Sequence, residues 1–336
     1  MSRSTWLLLV VLLLSFAYLD IGQAGLVYES RQYLQPVPDD WRYTWTWIPR
    51  DLTLWSLTLQ QGLGHGPIGF HLVNLGLHGL CAALVGALAR RLGLSRDGAL
   101  FAAALFLLHP LAVETVLYVT SRSEQFAAIG VLSACLLATG SVWLWPLIPV
   151  ALGLGILGKE SAIVGFGLVP LAWAYRTPGT WTRALTVTGS LAFIPLGMYW
   201  YGGFVPMVNA FESPGVSVDW WTWLTTQATA ALRLFTLFIL PIGQTIDYDY
   251  DLIQPVWRTV AACVLVLAFV AIWRRTRLQD DRLHPLIAFG VTFAVLAILP
   301  RLVIQTPRSY LNEHQVYLGL AGPAISGAAL AWAHRV

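Results

Sequence analysis

The sequence predicts an all-α polytopic membrane protein, and three observations lead to this prediction. Of the 336 residues, 57% are hydrophobic and only 11% are charged, whereas a soluble domain usually carries roughly 25% charged residues. The apolar residues form runs close to the length of about 20 residues that a membrane-crossing helix needs. Arginines gather in short stretches between these runs, as they do in cytoplasmic loops. We therefore expect one transmembrane domain over residues 1–336, with about ten helices.

The predicted spans follow the apolar runs in chain order. They cover residues 6–24, 68–89, 98–117, 123–140, 142–158, 160–175, 184–204, 256–273, 285–305 and 316–333. An alternative for the first run is a cleavable signal peptide with Ala24 near the cut. The run continues through Tyr18 and no A-x-A site follows, which favours a retained span.

Arginine placement orients these spans. When ten spans cross the membrane in turn and Arg3 lies inside, three arginine-rich loops and Arg335 lie on the cytoplasmic side. The inner face then carries 11 basic and 3 acidic residues, and the outer side carries 9 basic and 14 acidic ones. Because positive loops stay in the cytoplasm, both termini are expected there. The sequence therefore predicts a multi-pass protein of the cytoplasmic or inner membrane, with its active site facing the periplasm or exterior.

Two external segments, residues 25–66 and 205–255, are expected to carry helices that lie along the membrane surface. In the first segment, Leu52, Trp55 and Leu59 recur at helical spacing, which is typical of an interfacial helix. In the second, residues 220–242 are apolar enough to suggest a span. A span there would invert the orientation of the arginine-rich loop that follows, so we expect an interfacial or re-entrant helix instead.

Packing roles are predicted for several small or neutral residues of the spans. Gly153, Gly155 and Gly158 are expected to permit close helix packing. His71 and His78 are seven residues apart and so share one side of a helix. His78 lies deeper and is predicted to be a buried residue hydrogen-bonded across the bundle, whereas His71 is expected to line a site at the outer end.

The predicted topology places polar and ionisable side chains at the external ends of the spans. A charge costs about 2.5–3.5 kcal/mol or more at the centre of a membrane helix, so charges within spans usually have a function. Lys159, the only lysine in the chain, and the arginines can hold a phosphate, and Asp20 or Glu114 can act as a general base. The alternative is that the charges pair with one another as helix-end anchors. The set comprises Asp20, Arg50, His71, Asn74, His109, Glu114, Arg122, Glu124, Lys159, Glu160, Asp247, Asp249, Asp251, Arg308, Glu313 and His314.

Four motifs from this set follow one another along the chain. They are Phe70-His71-Leu-Val-Asn74-Leu-Gly-Leu-His78, His109-Pro110-Leu-Ala-Val-Glu114-Thr-Val-Leu-Tyr-Val-Thr-Ser-Arg122-Ser-Glu124, Leu157-Gly-Lys159-Glu160-Ser and the weaker Asn312-Glu313-His314-Gln315-Val316-Tyr317-Leu318. Over roughly residues 15–175, the order and spacing of the first three resemble the membrane half of the transmembrane and tetratricopeptide-repeat O-mannosyltransferases and their bacterial relatives. The fourth stands where that family has an acidic–basic–Tyr–Leu signature before its last span. That family belongs to the C-type glycosyltransferase superfamily, so the resemblance implies a C-type glycosyltransferase-like architecture for the transmembrane domain.

The resemblance implies transfer of a sugar from a polyprenyl-phosphate donor to a hydroxyl of a protein or glycan acceptor outside the cytoplasm. It implies a catalytic acid just after the first span, where Asp20 stands, although the family's adjacent acidic pair is reduced here to Leu19-Asp20. The pair Asp39-Asp40, farther along the same loop, is the rival. Arg50 falls where the family has Arg-Pro-Leu, and the donor phosphate is expected on Arg50, Lys159, Arg122 and Arg308. The sequence contains no tetratricopeptide repeats, so the family's acceptor is not carried over.

Two other functions stay open at this point. One is an oligosaccharyltransferase that moves a glycan from a polyprenyl-diphosphate donor onto a protein such as a pilin. The other is a transporter or flippase for a lipid-linked sugar, although no internal repeat is found. Membrane lipids are expected partners and nucleic acid is not, because no basic patch of the nucleic-acid-binding type occurs.

No metal site is assigned, and a divalent cation is the one candidate cofactor. Asp247, Asp249 and Asp251 alternate as in a cation-binding loop. The segment lacks the glycine turn and the distal glutamate of an EF-hand, which favours an exposed acidic loop.

Overall fold

The computed structural model of the protein describes residues 25–26, 28–35, 45, 49–177, 220–244, 284–303 and 312–332. Within these ranges every regular element is helical and no strand occurs, which confirms the all-α prediction. The α-helices are α1 (Asp51–Gly62), α2 (Pro67–Arg91), α3 (Arg96–Leu108), α4 (Val113–Leu117), α5 (Arg122–Ala138), α6 (Ile148–Gly158), α7 (Gly165–Arg176), α8 (Trp220–Ile239), α9 (His284–Val303) and α10 (Ala321–Trp332). Short 3-10 turns connect them at Pro110–Ala112, Val119–Ser121, Val142–Leu147, Glu160–Val164, Glu313–Val316 and Leu318–Leu320.

The helices form a bundle in which neighbours along the chain pack together. Short connections reverse the chain between α2 and α3 and between α5 and α6, and the two helices of each pair pack together. Helix α9 also packs against α10. Helix α5 also contacts α2 and α7, and α10 contacts α3. The buried apolar side chains of these helices form one continuous core. Short connections favour antiparallel neighbours. Alternate connections between helices therefore lie at the same end of the bundle.

Local sequence signals set the boundary between α2 and α3. Arg90 and Arg91 occupy the last turn of α2, where positive charge is favourable next to the negative end of the helix dipole. Ser95 is the N-cap of α3, and its hydroxyl accepts a hydrogen bond from the Gly98 N–H at 3.1 Å, which is a typical cap. The predicted span over 68–89 agrees with the observed helix Pro67–Arg91.

The predicted span over 98–117 is not one straight helix. Helix α3 ends at Leu108, and the chain resumes its helical path only at Pro110, after a bend of 55°. His109 is extended, with ψ of 128°, because the residue before a proline is excluded from the helical region. His109-Pro110 therefore ends α3 and separates it from α4.

Glycines allow the closest helix contacts in the bundle. A Cβ at Gly130 would lie 2.5 Å from the Gly155 Cα, and one at Gly158 would lie 2.4 Å from the Phe126 Cβ. The predicted packing roles of Gly155 and Gly158 are confirmed. The prediction for Gly153 is wrong, because a Cβ there would meet nothing within 4 Å. Gly153 lies on the side of α6 opposite its contact face.

The number of membrane spans is not confirmed at ten. Among the described residues, only α2 is both long and apolar enough to cross a membrane, and the bent pair Arg96–Leu108 and Pro110–Leu117 adds a second span if it is counted as one. Residues 142–158, 285–298 and 318–331 form shorter apolar helices. The predicted spans 6–24, 184–204 and 256–273 lie outside the described residues.

Both segments predicted to lie along the membrane surface contain the expected helix. In α1, Leu57 and Gln60 are buried against the bundle while Leu59 is exposed, so part of the predicted apolar stripe faces outward. In α8, Leu234 and Leu237 pack on Leu111 and Val316. Helix α8 therefore covers the turns next to the kink, and its orientation toward a membrane stays a prediction.

Candidate active site

The helix directions bring those residues of the predicted polar set that the structure describes to one end of the bundle, which we call the polar end. It is formed by the first turns of α1, α2 and α5, by α4, by the turn after α6 and by the turn Glu313–Val316. Arg90, Arg91, Arg96 and Arg176 lie at helix ends on the other side. His71 and Arg90 are separated by 19 positions of one helix, or roughly 28 Å at 1.5 Å per residue. The charges that predicted topology and those that predicted a site are thus far apart.

Two ion pairs lie where α6 ends and the following turn begins. The Lys159 Nζ lies 2.6 Å from the Glu124 Oε1, and the Ser161 hydroxyl donates to the Glu124 Oε2 at 3.4 Å. The Arg50 Nε and Nη2 donate to both Glu160 oxygens at 3.1 and 2.8 Å. We call Arg50, Glu124, Lys159 and Glu160 the paired-charge group. Helix α1 is held against it by the Thr53 hydroxyl, which donates to the Gly158 carbonyl at 2.9 Å.

Arg50 and Lys159 differ in how far they reach solvent. The Arg50 side chain is 44% exposed and the Lys159 side chain 12%. Burial raises the pKa of the Glu160 carboxyl, but the hydrogen bonds and charge of Arg50, helped by the charge of Lys159, outweigh burial and hold that pKa below its ordinary value. Arg50 also has a left-handed backbone, with φ of 78°, a conformation that costs energy in a non-glycine residue.

Arg122 lies beside the paired-charge group, fully buried, and its partners are all neutral. Its Nε donates to the Asn74 Oδ1 at 2.7 Å, and its terminal nitrogens donate to the Ser56 hydroxyl at 3.2 Å, to the Gln60 Oε1 and to the Phe70 carbonyl at 3.4 Å. No carboxylate of the described residues pairs with it. A buried cation without a charged partner costs free energy. Because no carboxylate of the described residues neutralises its charge, Arg122 leaves a positive electrostatic potential at the polar end.

Asn74 links Arg122 to the chain around Glu114. Its Nδ2 donates to the carbonyls of Val116 and Val119 at 3.2 and 3.3 Å, while its Oδ1 accepts from Arg122. The Gln125 side chain in turn donates to the Asn74 carbonyl at 2.9 Å. These bonds fix the segment that follows α4 against α2 and α5.

Glu114 and His314 form a third pair, which we call the Glu–His pair. The Glu114 Oε1 lies 2.7 Å from the His314 Nδ1, and the Glu114 Oε2 accepts the backbone N–H of His314 at 2.9 Å. The Tyr118 ring packs edge-on against the His314 ring, with centroids 5.7 Å apart. Glu313, which precedes His314, accepts a hydrogen bond from the Gln244 amide at 2.6 Å.

The other predicted histidines have structural partners. His78 is fully buried, with Nδ1 2.6 Å from the Tyr317 hydroxyl and Nε2 3.0 Å from the Leu107 carbonyl, which confirms its predicted packing role. His109 accepts from the Leu111 N–H at 3.2 Å and lies 3.2 Å from the Phe238 carbonyl. His71 is fully buried near the start of α2, and its contact with a ligand stays a prediction.

Part of the predicted site lies outside the described residues. This holds for Asp20, Asp39, Asp40, Arg308, Asp247, Asp249 and Asp251. The distance between Asp20 and Lys159, on which the predicted site depends, is therefore not tested. Within the described residues, no group of three or more His, Cys, Asp or Glu side chains is placed to hold a metal ion.

Sequence reasoning missed the neutral residues that hold Arg122. Ser56 and Gln60 lie four positions apart on α1 and face the bundle. The signal was present in the position of Gln60, because a glutamine on the buried face of an amphipathic helix needs a polar partner. Ser161 and Gln244 carried no such signal.

Part of the chain is similar to known proteins. The chain is 32% identical over 133 residues to "Protein O-mannosyl-transferase Tmtc2" of Drosophila melanogaster, covering 33% of this chain and 14% of that protein. It is 37% identical over 91 residues to "Protein O-mannosyl-transferase Tmtc1" of the same organism, covering 27% of this chain and 10% of that protein. The chain thus spans about a seventh or less of the length of these curated relatives. No protein-family model matches the chain, and no solved structure matches it.

Proposed function

We propose that this protein is an integral-membrane glycosyltransferase that moves a sugar from a polyprenyl-phosphate donor to an acceptor hydroxyl outside the cytoplasm. The observation that carries the proposal is the convergence of Lys159, Arg50 and the buried Arg122 with the Glu–His pair at one end of the bundle. The similarity to two protein O-mannosyl-transferases supports the reaction class. Mannose is the sugar to test first.

The arrangement suits a substrate with an anionic head and an apolar tail. Exposed leucines of α1 and α2, such as Leu59 and Leu72, offer an apolar surface beside the polar end, and the cations lie behind it. Lys159 and Arg50 are held by carboxylates, and a phosphate can replace those carboxylates as their partner. Arg122 adds an unneutralised positive charge among the described residues, and such a charge stabilises a departing phosphate.

The chemistry then divides into donor binding and proton removal. Lys159 and Arg50, with Arg308 from outside the described residues, hold the phosphate. The buried charge of Arg122 adds a positive electrostatic potential that favours the phosphate. His71, Asn74, His109 and Glu160 position the surrounding chain. A general base removes the hydroxyl proton of the acceptor as its oxygen attacks the sugar. The resemblance assigns that role to Asp20, with Asp39-Asp40 as the rival.

Donor specificity tests the proposal directly. The full chain, purified into lipid nanodiscs, is incubated with polyprenyl phosphate carrying tritiated mannose and a serine- and threonine-rich peptide mixture. We expect the label to leave the lipid and appear in water-soluble product. A polyprenyl-diphosphate oligosaccharide in a parallel reaction tests the oligosaccharyltransferase alternative, and label flux across proteoliposomes without transfer tests the flippase.

A neutral replacement of one ion pair tests the role of its charges. The double variant Glu124→Gln with Lys159→Met removes both charges at once, so no unpaired buried charge is left behind. We expect it to keep the unfolding midpoint of the parent and to lose transfer by about 10²–10³-fold, the usual effect of removing one charge-stabilising donor. Arg176→Met, at the other end of α7, is the matched control and keeps full transfer. Undiminished transfer in the double variant contradicts the assigned role of Lys159, and absence of transfer from every donor in the parent contradicts the proposed function.

A further inference from the structure

In the Glu–His pair, the ring and the backbone of one residue engage both oxygens of the carboxylate. The Glu114 Oε1 receives the His314 ring nitrogen and the Oε2 receives the His314 backbone N–H, at 2.7 and 2.9 Å. A ring held at Nδ1 and anchored at its own backbone by the same carboxylate cannot turn without breaking a hydrogen bond. The imidazole is therefore fixed in orientation.

The carboxylate also fixes which ring nitrogen carries the proton. An ionised carboxylate only accepts hydrogen bonds, so Nδ1 is the protonated nitrogen of the neutral ring and Nε2 holds the lone pair. Within the part of the chain that the structure describes, Nε2 of His314 makes no hydrogen bond, and the side chain is 11% exposed. By contrast, both ring nitrogens of His78 lie within hydrogen-bonding distance of protein atoms.

The surroundings of His314 place it at the polar end. The turn Glu313–Val316 packs against α4 and against helix α9, and the turn Glu160–Val164 packs against that same helix. Asn74 ties the segment after Glu114 to Arg122. The imidazole is therefore connected through named contacts to the groups proposed to hold the phosphate.

We propose that the Nε2 of His314 accepts the proton of the acceptor hydroxyl, and that Glu114 is the residue that positions His314. This inference rests on the proposed function. As the hydroxyl oxygen forms its bond to the anomeric carbon, its proton moves to Nε2, and the bond between that carbon and the phosphate oxygen breaks with its electron pair staying on the phosphate. The Glu114 carboxylate stabilises the imidazolium that forms, which later gives its proton to water.

The inference changes the role predicted for Glu114. The sequence makes Glu114 a candidate base, but both of its oxygens are engaged by His314. Glu114 therefore acts through the imidazole. His314, expected only to line the site, becomes the catalytic residue and a rival to Asp20.

Imidazole rescue separates these two residues. Transfer of tritiated mannose from polyprenyl phosphate is measured for the full chain in nanodiscs, for His314→Ala and for Asp20→Asn. We expect His314→Ala to lower kcat by about 10²–10⁴-fold, the usual contribution of a general base, with the donor KM unchanged. Added imidazole should restore transfer at least tenfold in His314→Ala, where the removed ring leaves space, and should not restore Asp20→Asn. Glu114→Gln should lower kcat with the same unchanged KM.

Chemical modification gives a readout that needs no transfer. Diethyl pyrocarbonate, which reacts with an open neutral imidazole nitrogen, is applied to the parent chain, and modified histidines are located by mass spectrometry. We expect modification at His314 and at the exposed His65, and none at the buried His78. Polyprenyl phosphate mannose should protect His314 and leave His65 reactive.

The outcomes distinguish this inference from the proposed function. If the parent chain transfers no sugar from any donor, the proposed function is wrong and the inference falls with it. If the parent is active and His314→Ala keeps its kcat, or if imidazole rescues nothing, only the inference is overturned. A His314 as unreactive as His78 also overturns it, because Nε2 would then not be open to a hydroxyl.

Discussion

The polar end of the bundle and its middle are held together in different ways. At the polar end, side chains from distant parts of the chain are joined by directional bonds, such as Arg50 with Glu160 and Glu114 with His314. In the middle, backbones approach closely at glycines, as where Gly290 meets Gly322 and a Cβ on Gly322 would lie 2.1 Å from the Gly290 carbonyl oxygen. The middle needs only shape, whereas the polar end needs particular charges.

This difference indicates which region is built for chemistry. Replacing a buried ion pair by apolar residues of similar volume often costs no stability, so packing alone does not explain why the polar end holds three pairs and a buried arginine. Small residues in the middle are explained by packing. Substitutions in the middle should therefore change stability alone, whereas those at the polar end should change stability, sugar transfer or both.

The largest effect on stability is expected at Arg122, whose side chain donates hydrogen bonds to four residues. Arg122→Met leaves the Asn74 and Gln60 side-chain oxygens and the Phe70 carbonyl without their donor. Since each buried unsatisfied group costs about 1–3 kcal/mol, we expect a loss of roughly 3 kcal/mol or more in the free energy of unfolding. The loss is measured by denaturant unfolding in a fixed detergent.

Arg122→Lys is the matched variant for this test. Lysine keeps the charge but lacks the planar fork of donors, so we expect it to recover only part of the lost stability. An Arg122→Met protein as stable as the parent would show that burial of the charge costs as much as its hydrogen bonds contribute. The contrast between the two regions would then rest on the ion pairs alone.

The sequence predicts the middle of the bundle better than the polar end. Apolar runs predict α2 and the start of α3 within a few residues, because local propensity and periodicity decide a helix. The kink at His109-Pro110 was predictable for the same local reason. Gly153 shows the limit, since its side of α6 depends on where the neighbouring helices lie.

The partners at the polar end could not be predicted from sequence. The predicted topology places Glu114, Glu124 and Lys159 on one face. No local signal links Glu114 to a histidine 200 positions away. Nor does any local signal pair Lys159 with Glu124 rather than with Glu160. The neutral partners of Arg122 carry no charge pattern. Charge and resemblance indicate which residues gather, and only three-dimensional packing decides which of them touch.

A smaller effect, confined to the middle, is expected from adding one methyl group to a glycine. A Cβ at Gly130 would lie 2.5 Å from the Gly155 Cα and 2.6 Å from the Ala151 carbonyl oxygen, and backbone atoms cannot easily move aside. We expect Gly130→Ala to lower the free energy of unfolding by about 1–3 kcal/mol, as overpacking does, with sugar transfer unchanged where the protein stays folded. Gly153→Ala is the control and should be neutral or gain about 0.5–1 kcal/mol. Equal losses at both positions would contradict the glycine contact as the basis of the packing.

The smallest effect is expected at the exposed pair of the polar end and depends on pH. Because Arg50 holds the pKa of Glu160 below its ordinary value of 4.5, the stability that this pair contributes is fully present above that value and is lost as the pH falls through the lowered pKa. Arg50→Gln should therefore unfold more easily than the parent at pH 7, by less than about 1 kcal/mol, because Arg50 is 44% exposed and screened by water. The difference between the two proteins should shrink as the pH is lowered below 4.5. A difference that stays constant across that range would mean that the Arg50 charge does not act on the Glu160 carboxylate, and would contradict the ion pair as the source of this stability.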